Sequence, residues 1–299
     1  MKNNSILSFY VIIFSIASLF SQQREEVIKK VSDNESYILT DVSYISDAVF
    51  MGRRDSIAAP YIFPSIGYYD ASGFFADATL SYLTASEEQR VDLFLLSGGY
   101  LFESKKWSGG IVATGYFYND ESYNVQSEVS SSISGLLSYD LDYMELSVSL
   151  GSFFNSGNNT DFFTSFFIER AFINEKETLL FKPSVGISGG TQNFYEAYYQ
   201  SNRLGNRKGQ GAGNSNQMES TTITFEESSS FNILNIELST PIEYHHKSFI
   251  FSFTPAVSFP QSSATIITED TVFEEDLDSV FYWTVGISYW FSTKKNKNT

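Results

Sequence analysis

Two histidines, His245 and His246, are the only side chains of this sequence that would change charge near neutral pH without help from their surroundings. They are adjacent. Neighbours on an extended chain point to opposite sides, so the two rings do not converge on one target. The expectation is a solvated turn, with no metal held there. Hydrolysis by a relayed nucleophile would need a His held beside a Ser and a carboxylate, and no such constellation is legible, so the reading is that the chain is not an enzyme. The absence of cysteine excludes thiol catalysis and cysteine-ligated zinc or iron–sulfur sites. Nothing calls for a cofactor.

Three charged groups remain. Arg203, Arg207 and Lys208 lie in the long segment 193–229, just before Gly209-Gln210-Gly211-Ala212-Gly213. A phosphate loop would end in Gly-Lys-Ser/Thr and open a helix, which this does not. The readings are an external loop, or one that folds inward to constrict a lumen or meets lipopolysaccharide phosphates. Glu269, Asp270, Glu274, Glu275, Asp276 and Asp278 lack the spacing of a calcium loop and read as a solvated acidic connection. The third group is Asp47, Asp77, Glu128, Glu145, Glu169 and Glu237, with Lys182. These fall in extended stretches, on the polar phase. A charge turned to lipid is costly, so they are assigned to the inner face. There they would line a lumen and favour cations, or pair with one another and fill it.

The elements that position them are strands. Phe281, Trp283, Val285, Ile287, Tyr289 and Phe291 alternate with Tyr282, Thr284, Gly286, Ser288 and Trp290. Met144, Leu146, Val148 and Leu150 alternate with Glu145, Ser147, Ser149 and Gly151, and Leu234, Ile236 and Leu238 with Asn235, Glu237 and Ser239. About twelve such segments follow one another, near 37–50, 60–69, 74–83, 90–102, 107–118, 124–139, 143–154, 161–172, 178–191, 230–243, 248–258 and 280–292. Short turns alternate with longer connections, and the long ones (51–59, 192–229, 259–279) all fall on one side. The fold class is therefore all-β: a transmembrane, antiparallel, up-and-down β-barrel of about 12 strands, with 10 to 14 compatible with the pattern. In 161–172 the pairs Phe162–Phe163 and Phe166–Phe167 put aromatics on both faces, and in 90–102 both phases are apolar.

The chain of 299 residues divides accordingly. Lys2, the apolar run Ile6 to Phe20 and small residues before Gln22 make 1–21 an export signal. Residues 22–35 are a polar periplasmic lead-in, 36–292 the barrel and 293–299 a polar tail. A net charge of −16 argues against nucleic acid. An aromatic content of 17% fits rims that meet a membrane interface. The expected location is the outer membrane. The expected partners are membrane lipid, lipopolysaccharide, the barrel-assembly machinery during insertion, and small solutes.

Thr284, Gly286, Tyr289 and Phe291 resemble the signal by which outer-membrane barrels are recognised for insertion. The run Ser43-Tyr44-Ile45-Ser46-Asp47-Ala48-Val49-Phe50-Met51-Gly52-Arg53 resembles the first strand of TorF-like outer-membrane porins. Pro60 or Pro64 and then Ser72-Gly73-Phe74-Phe75-Ala76 take the places of that group's second strand and following turn. Ala48 stands where an aromatic is usual there. The resemblance implies a passive channel for small hydrophilic solutes. To this the acidic inner face adds a weak cation preference, and the many small inward residues, Ser147 and Ser149 among them, suggest free space. The alternative is a closed structural or adhesive barrel whose external loops bind a partner.

Overall fold

A computed structural model describes residues 36–54, 59–85, 89–120, 122, 124–156, 159–198, 224–225, 228–263, 265–267, 272–274 and 277–293. The expected export signal, the lead-in 22–35 and Arg203, Arg207 and Lys208 lie outside them.

Twelve antiparallel staves close into one barrel. Nine are continuous: β1 (Tyr37–Ile45), β2 (Tyr61–Tyr69), β3 (Phe74–Leu83), β4 (Arg90–Ser104), β5 (Trp107–Tyr118), β6 (Val129–Asp140), β7 (Glu145–Asn155), β15 (Phe249–Pro260) and β18 (Val280–Ser292). Three are broken: β8 (Thr160–Glu169) with β9 (Phe172–Ile173), β10 (Leu179–Phe181) with β11 (Ser184–Gly190), and β13 (Asn232–Ser239) with β14 (Ile242–His246). Two breaks fall at Pro183 and Pro241, where the chain has no N–H to give the ladder. Their carbonyls still accept, from Arg170 and Lys182 respectively (3.1 and 2.9 Å). Closure is made by β1 against β18, from Tyr37↔Ser292 to Ile45↔Thr284. No edge of the barrel is left to face lipid unpaired. A separate small sheet, β12 (Thr224–Phe225), β16 (Thr265–Ile267) and β17 (Val272–Glu274), joins parts of two long connections.

All the short turns lie at one end, here the turn end, and the long connections at the other, the loop end. The outer wall is apolar from stave to stave, with Ile66, Leu96, Ile111, Leu150 and Ile187 at 44–63% exposure. Polar side chains alternate inward behind them. Near the turn end the outer wall carries aromatic pairs: Trp107–Tyr139, Phe249–Tyr289 and Phe74–Tyr100, with ring centroids 4.7, 4.8 and 5.0 Å apart. An apolar outer band with an aromatic girdle is the surface of a barrel that spans a membrane.

The turn between β2 and β3 shows how one acid fixes a connection. Asp70 accepts from the Ser72 amide and hydroxyl, from Ser36 Oγ and from Tyr68 Oη. Those donors hold its carboxyl well below the usual range. Gly73 follows at φ +99°, and a Cβ there would strike the Leu101 carbonyl. Because the folded carboxyl is the stronger acid, its contribution is complete above the unfolded carboxyl range and is lost as pH falls through the lowered folded value. Asp70→Asn should flatten the acid limb of a denaturation-versus-pH curve, and an unchanged limb would refute this.

Three register shifts, at Ser81/Tyr82, Ser188/Gly189 and Val129/Ser131, are all near the loop end. Two of them re-aim a side chain. Opposite the first, Asp92 is skipped by the ladder and buried inside. Opposite the second, Leu234 is skipped and also buried, at 2% exposure, although the alternation puts it on the outer phase with Ile236. A one-residue bulge turns every side chain before it to the other face.

Candidate functional site: the stoppered interior

The staves bring their small polar residues to the middle of the inner wall. Ser132 and Ser134 on β6, Ser147 and Ser149 on β7, Ser165 on β8, Ser188 on β11 and Ser288 on β18 are all buried. They bond across the strands: Ser138 with Ser147 at 2.7 Å and Ser165 with Ser188 at 2.6 Å. Ser147 and Ser288 have 0% exposure. Small side chains on the wall of an open passage would stay wet, so the interior is packed where these residues lie. The expectation that small inward residues leave free space is corrected. Large inward side chains, gathered in two clusters, share the interior with them.

At the turn end the filling is Tyr37, Leu39, Tyr69, Phe75, Leu136 and Ile250. Tyr69 stacks on both Tyr37 and Phe75, at 4.9 and 5.6 Å, with 9° between planes in each case. At the loop end the filling is aromatic and comes partly from the connections. Phe50, from the connection after β1, meets Phe153 of β7 and Phe163 of β8 at 6.1 and 5.4 Å. The segment after β11 turns inward as one short helix, α1 (Asn193–Tyr198). Its Phe194 has 0% exposure and sits edge-on to Phe50 and Phe163, at 4.9 and 5.7 Å. Tyr195 and Tyr198 are buried with it. The described start of segment 193–229 therefore closes the loop end as a hydrophobic stopper.

Two polar anchors hold the stopper. Asp161, the second residue of β8, is fully buried at 0% exposure. It accepts from Asn155 Nδ2 (2.7 Å), Thr191 Oγ1 (2.5 Å), the Asn193 amide (2.8 Å) and side chain (3.1 Å), and the Phe194 amide (2.8 Å). It thus caps the otherwise open amides at the start of α1. Arg53 is the second. Its Nη2 donates to Gln192 Oε1 at 2.5 Å and to the Ser262 carbonyl, and its guanidinium lies 4.3 Å from the centre of the Tyr195 ring. Asp92 does a related job for Ser122 of the connection after β5, accepting from Tyr61 Oη (2.7 Å), Ser122 Oγ (2.6 Å) and Arg90 Nε (3.0 Å).

The residues assigned in sequence to the inner face are spread along the barrel. Asp47 sits in the connection after β1, bonded to Arg54 and to the Ala59 amide, both at 2.9 Å. Glu128 lies one residue before β6, at the loop end, and accepts from Ser156 Oγ at 2.6 Å. Glu237 accepts from Tyr282 Oη at 2.7 Å. Asp77, Glu145, Glu169 and Lys182 are buried. Gly286 pairs with Ser43 and Ser252, and Tyr289 and Phe291 face outward beside it. His246 points out, but His245 is buried at 5% exposure and its Nε2 lies 2.9 Å from Glu243 Oε2. The expectation of a solvated pair of histidines is corrected: β14 extends through both, so one ring enters the barrel.

Sequence reasoning missed Asp41, Asp92, Asp161 and Glu243. Asp41, which accepts from Ser288 Oγ at 2.7 Å, lies in phase with Leu39 and Ser43 and could have been found by alternation. Asp92 is re-aimed by a bulge, and Asp161 stands just before a run with aromatics on both faces, so neither carries a readable phase.

No protein family and no curated protein sequence matches the chain. Among solved structures, the chain is similar to the KdgM porin (9% identity over 84% of this chain and 98% of that one, TM-score 0.47). It is also similar to the NanC porin (9% identity, 84% and 98%, TM-score 0.46) and to LpxR from Salmonella typhimurium (11% identity, 86% and 100%, TM-score 0.42). At these scores they assign no solute and no reaction to this barrel.

Proposed function

We propose that the protein is an outer-membrane channel of the porin kind, held shut at its loop end by α1. The outer membrane is the bilayer where closed barrels of short turns and long opposite loops reside. The observation that carries the reading is Phe194, buried edge-on to Phe50 and Phe163 at the loop end of a barrel whose inner wall carries buried serines. A wall of small polar residues is suited to water and solute once the side chains that fill it withdraw. The stopper at the loop end belongs to a connection, whereas the turn-end filling of Tyr37, Tyr69 and Phe75 belongs to staves and must also shift for a solute to pass. The inward acids Asp41, Asp77, Glu145, Glu169, Glu237 and Glu243 outnumber Lys182 on the described inner wall, so the open form would prefer cations.

The test is planar-bilayer conductance of refolded protein, intact and with 192–229 replaced by a short turn. The expected result is a quiet intact protein and steady, cation-selective steps from the shortened one. A silent shortened protein, shown to be folded by its heat-dependent gel mobility, would refute the channel. It would favour the second reading, which the fully buried serines support: a filled barrel that acts through the partners of its external loops.

A further inference from the structure

The inner wall carries one pair of acids whose charge the described protein groups leave unbalanced. Glu145 opens β7 and Glu169 closes β8, and the two are partners in the ladder. Directly opposed residues on adjacent strands have Cβ atoms roughly 4.5–5.5 Å apart and share a face. Both are buried, at 6% and 2% exposure. Neither Glu145 Oε1 nor Glu169 Oε2 has a hydrogen-bond donor in the protein, and neither is reached by solvent. No ion pair among the described residues includes either acid: the Lys106 ammonium is bound by Asp142 at 2.5 Å, and His245 by Glu243.

The same row continues in oxygen ligands. Asp140 of β6 is the partner of Glu145 and is partly exposed at the turn end. Ser184 of β11 is the partner of Glu169, and Ser138 and Ser147 lie one step further into the barrel. Carboxylates and hydroxyls, with no imidazole or thiolate, suit a hard cation. Two buried carboxylates side by side without neutralisation would be strongly disfavoured. Among the described residues no three ionisable ligands come together, so the donor set is two carboxylates completed by hydroxyls.

We propose that Glu145 and Glu169 bind one divalent hard cation of the calcium type, entering from the turn end past Asp140. The ion would tie β7 to β8 close to where β8 breaks before β9. This does not depend on whether the barrel conducts.

The experiment is equilibrium dialysis of refolded wild-type protein with radioactive calcium, beside its unfolding temperature with calcium or with a chelator. Wild type should bind one calcium per chain saturably and unfold at a higher temperature when calcium is present. Glu145→Gln/Glu169→Gln, checked for folding by heat-dependent gel mobility, should lose both effects. Glu169→Gln alone should weaken binding at least tenfold. Absence of saturable binding by wild type overturns the proposal, as does undiminished binding by the double variant. A wild type whose stability falls as pH rises, with no response to calcium, would also overturn it, because the pair would then be neutralised by a proton.

Discussion

Asp161→Ala should turn a silent barrel into a conducting one without shortening the chain. The Asp161 carboxylate accepts from two amides of α1 and from the side chains of Thr191, Asn193 and Asn155. Removing a buried acceptor with that many donors costs about 3 kcal/mol or more, since each donor is left dry and unpaired. Most of those donors belong to the segment that leads into α1, so the loss falls on the seating of the stopper more than on the barrel ladder. At 1.4 kcal/mol per factor of ten, the balance between seated and released stopper should move by roughly a hundredfold. The readout is open probability in a planar bilayer, with uptake of a small hydrophilic dye by cells as a second measure. Asp161→Asn keeps an acceptor for some donors and should open less. If the shortened protein conducts while Asp161→Ala stays silent, the channel stands and the anchor is wrong. If neither conducts, the channel itself is wrong.

Leu150→Arg should be the most damaging single change on the outer wall. Leu150 lies mid-stave in β7, faces outward at 63% exposure and alternates with the buried Ser149. An arginine facing lipid near the midplane costs about 2–4 kcal/mol. Leu150→Val keeps the surface apolar and should change stability by much less. Reversible unfolding from lipid vesicles measures both, and a Leu150→Arg variant as stable as wild type would mean that β7 does not face lipid.

The staves were legible because each carries its own period-two pattern, and ladder pairing only had to join them. The twelve sequence segments map one to one onto the twelve staves, with the turn at 70–73 as expected, but the first runs five residues past β1 and the sixth starts five before β6, so Asp47 and Glu128 fall in connections and not in strands. What alternation could not reveal sits where the period breaks. Asp92 and Leu234 are turned inward by single-residue bulges in their own strands, which alternation does not announce. His245 is inside because β14 outlasts the expected turn. The stopper was legible only as one of two readings of 193–229. Nothing in Asn193-Phe194-Tyr195 by itself says that Phe50, Phe153 and Phe163 wait inside the barrel to receive it. The filling of the interior was hidden for the same reason: small residues on one wall say nothing of the large ones that reach them from another.

The sequence has no cysteine, so single cysteines can be placed along β7 from Leu146 to Gly151 without background. Membrane-inserted protein would be treated with a charged, water-borne thiol reagent and, separately, with a lipid-borne one. The account predicts a period of two: Leu146, Val148 and Leu150 positions react only from lipid, and Ser147, Ser149 and Gly151 positions react with neither until 192–229 is removed. Charged reagent reaching the outer set, or no alternation along the stave, would contradict a stoppered barrel in a membrane.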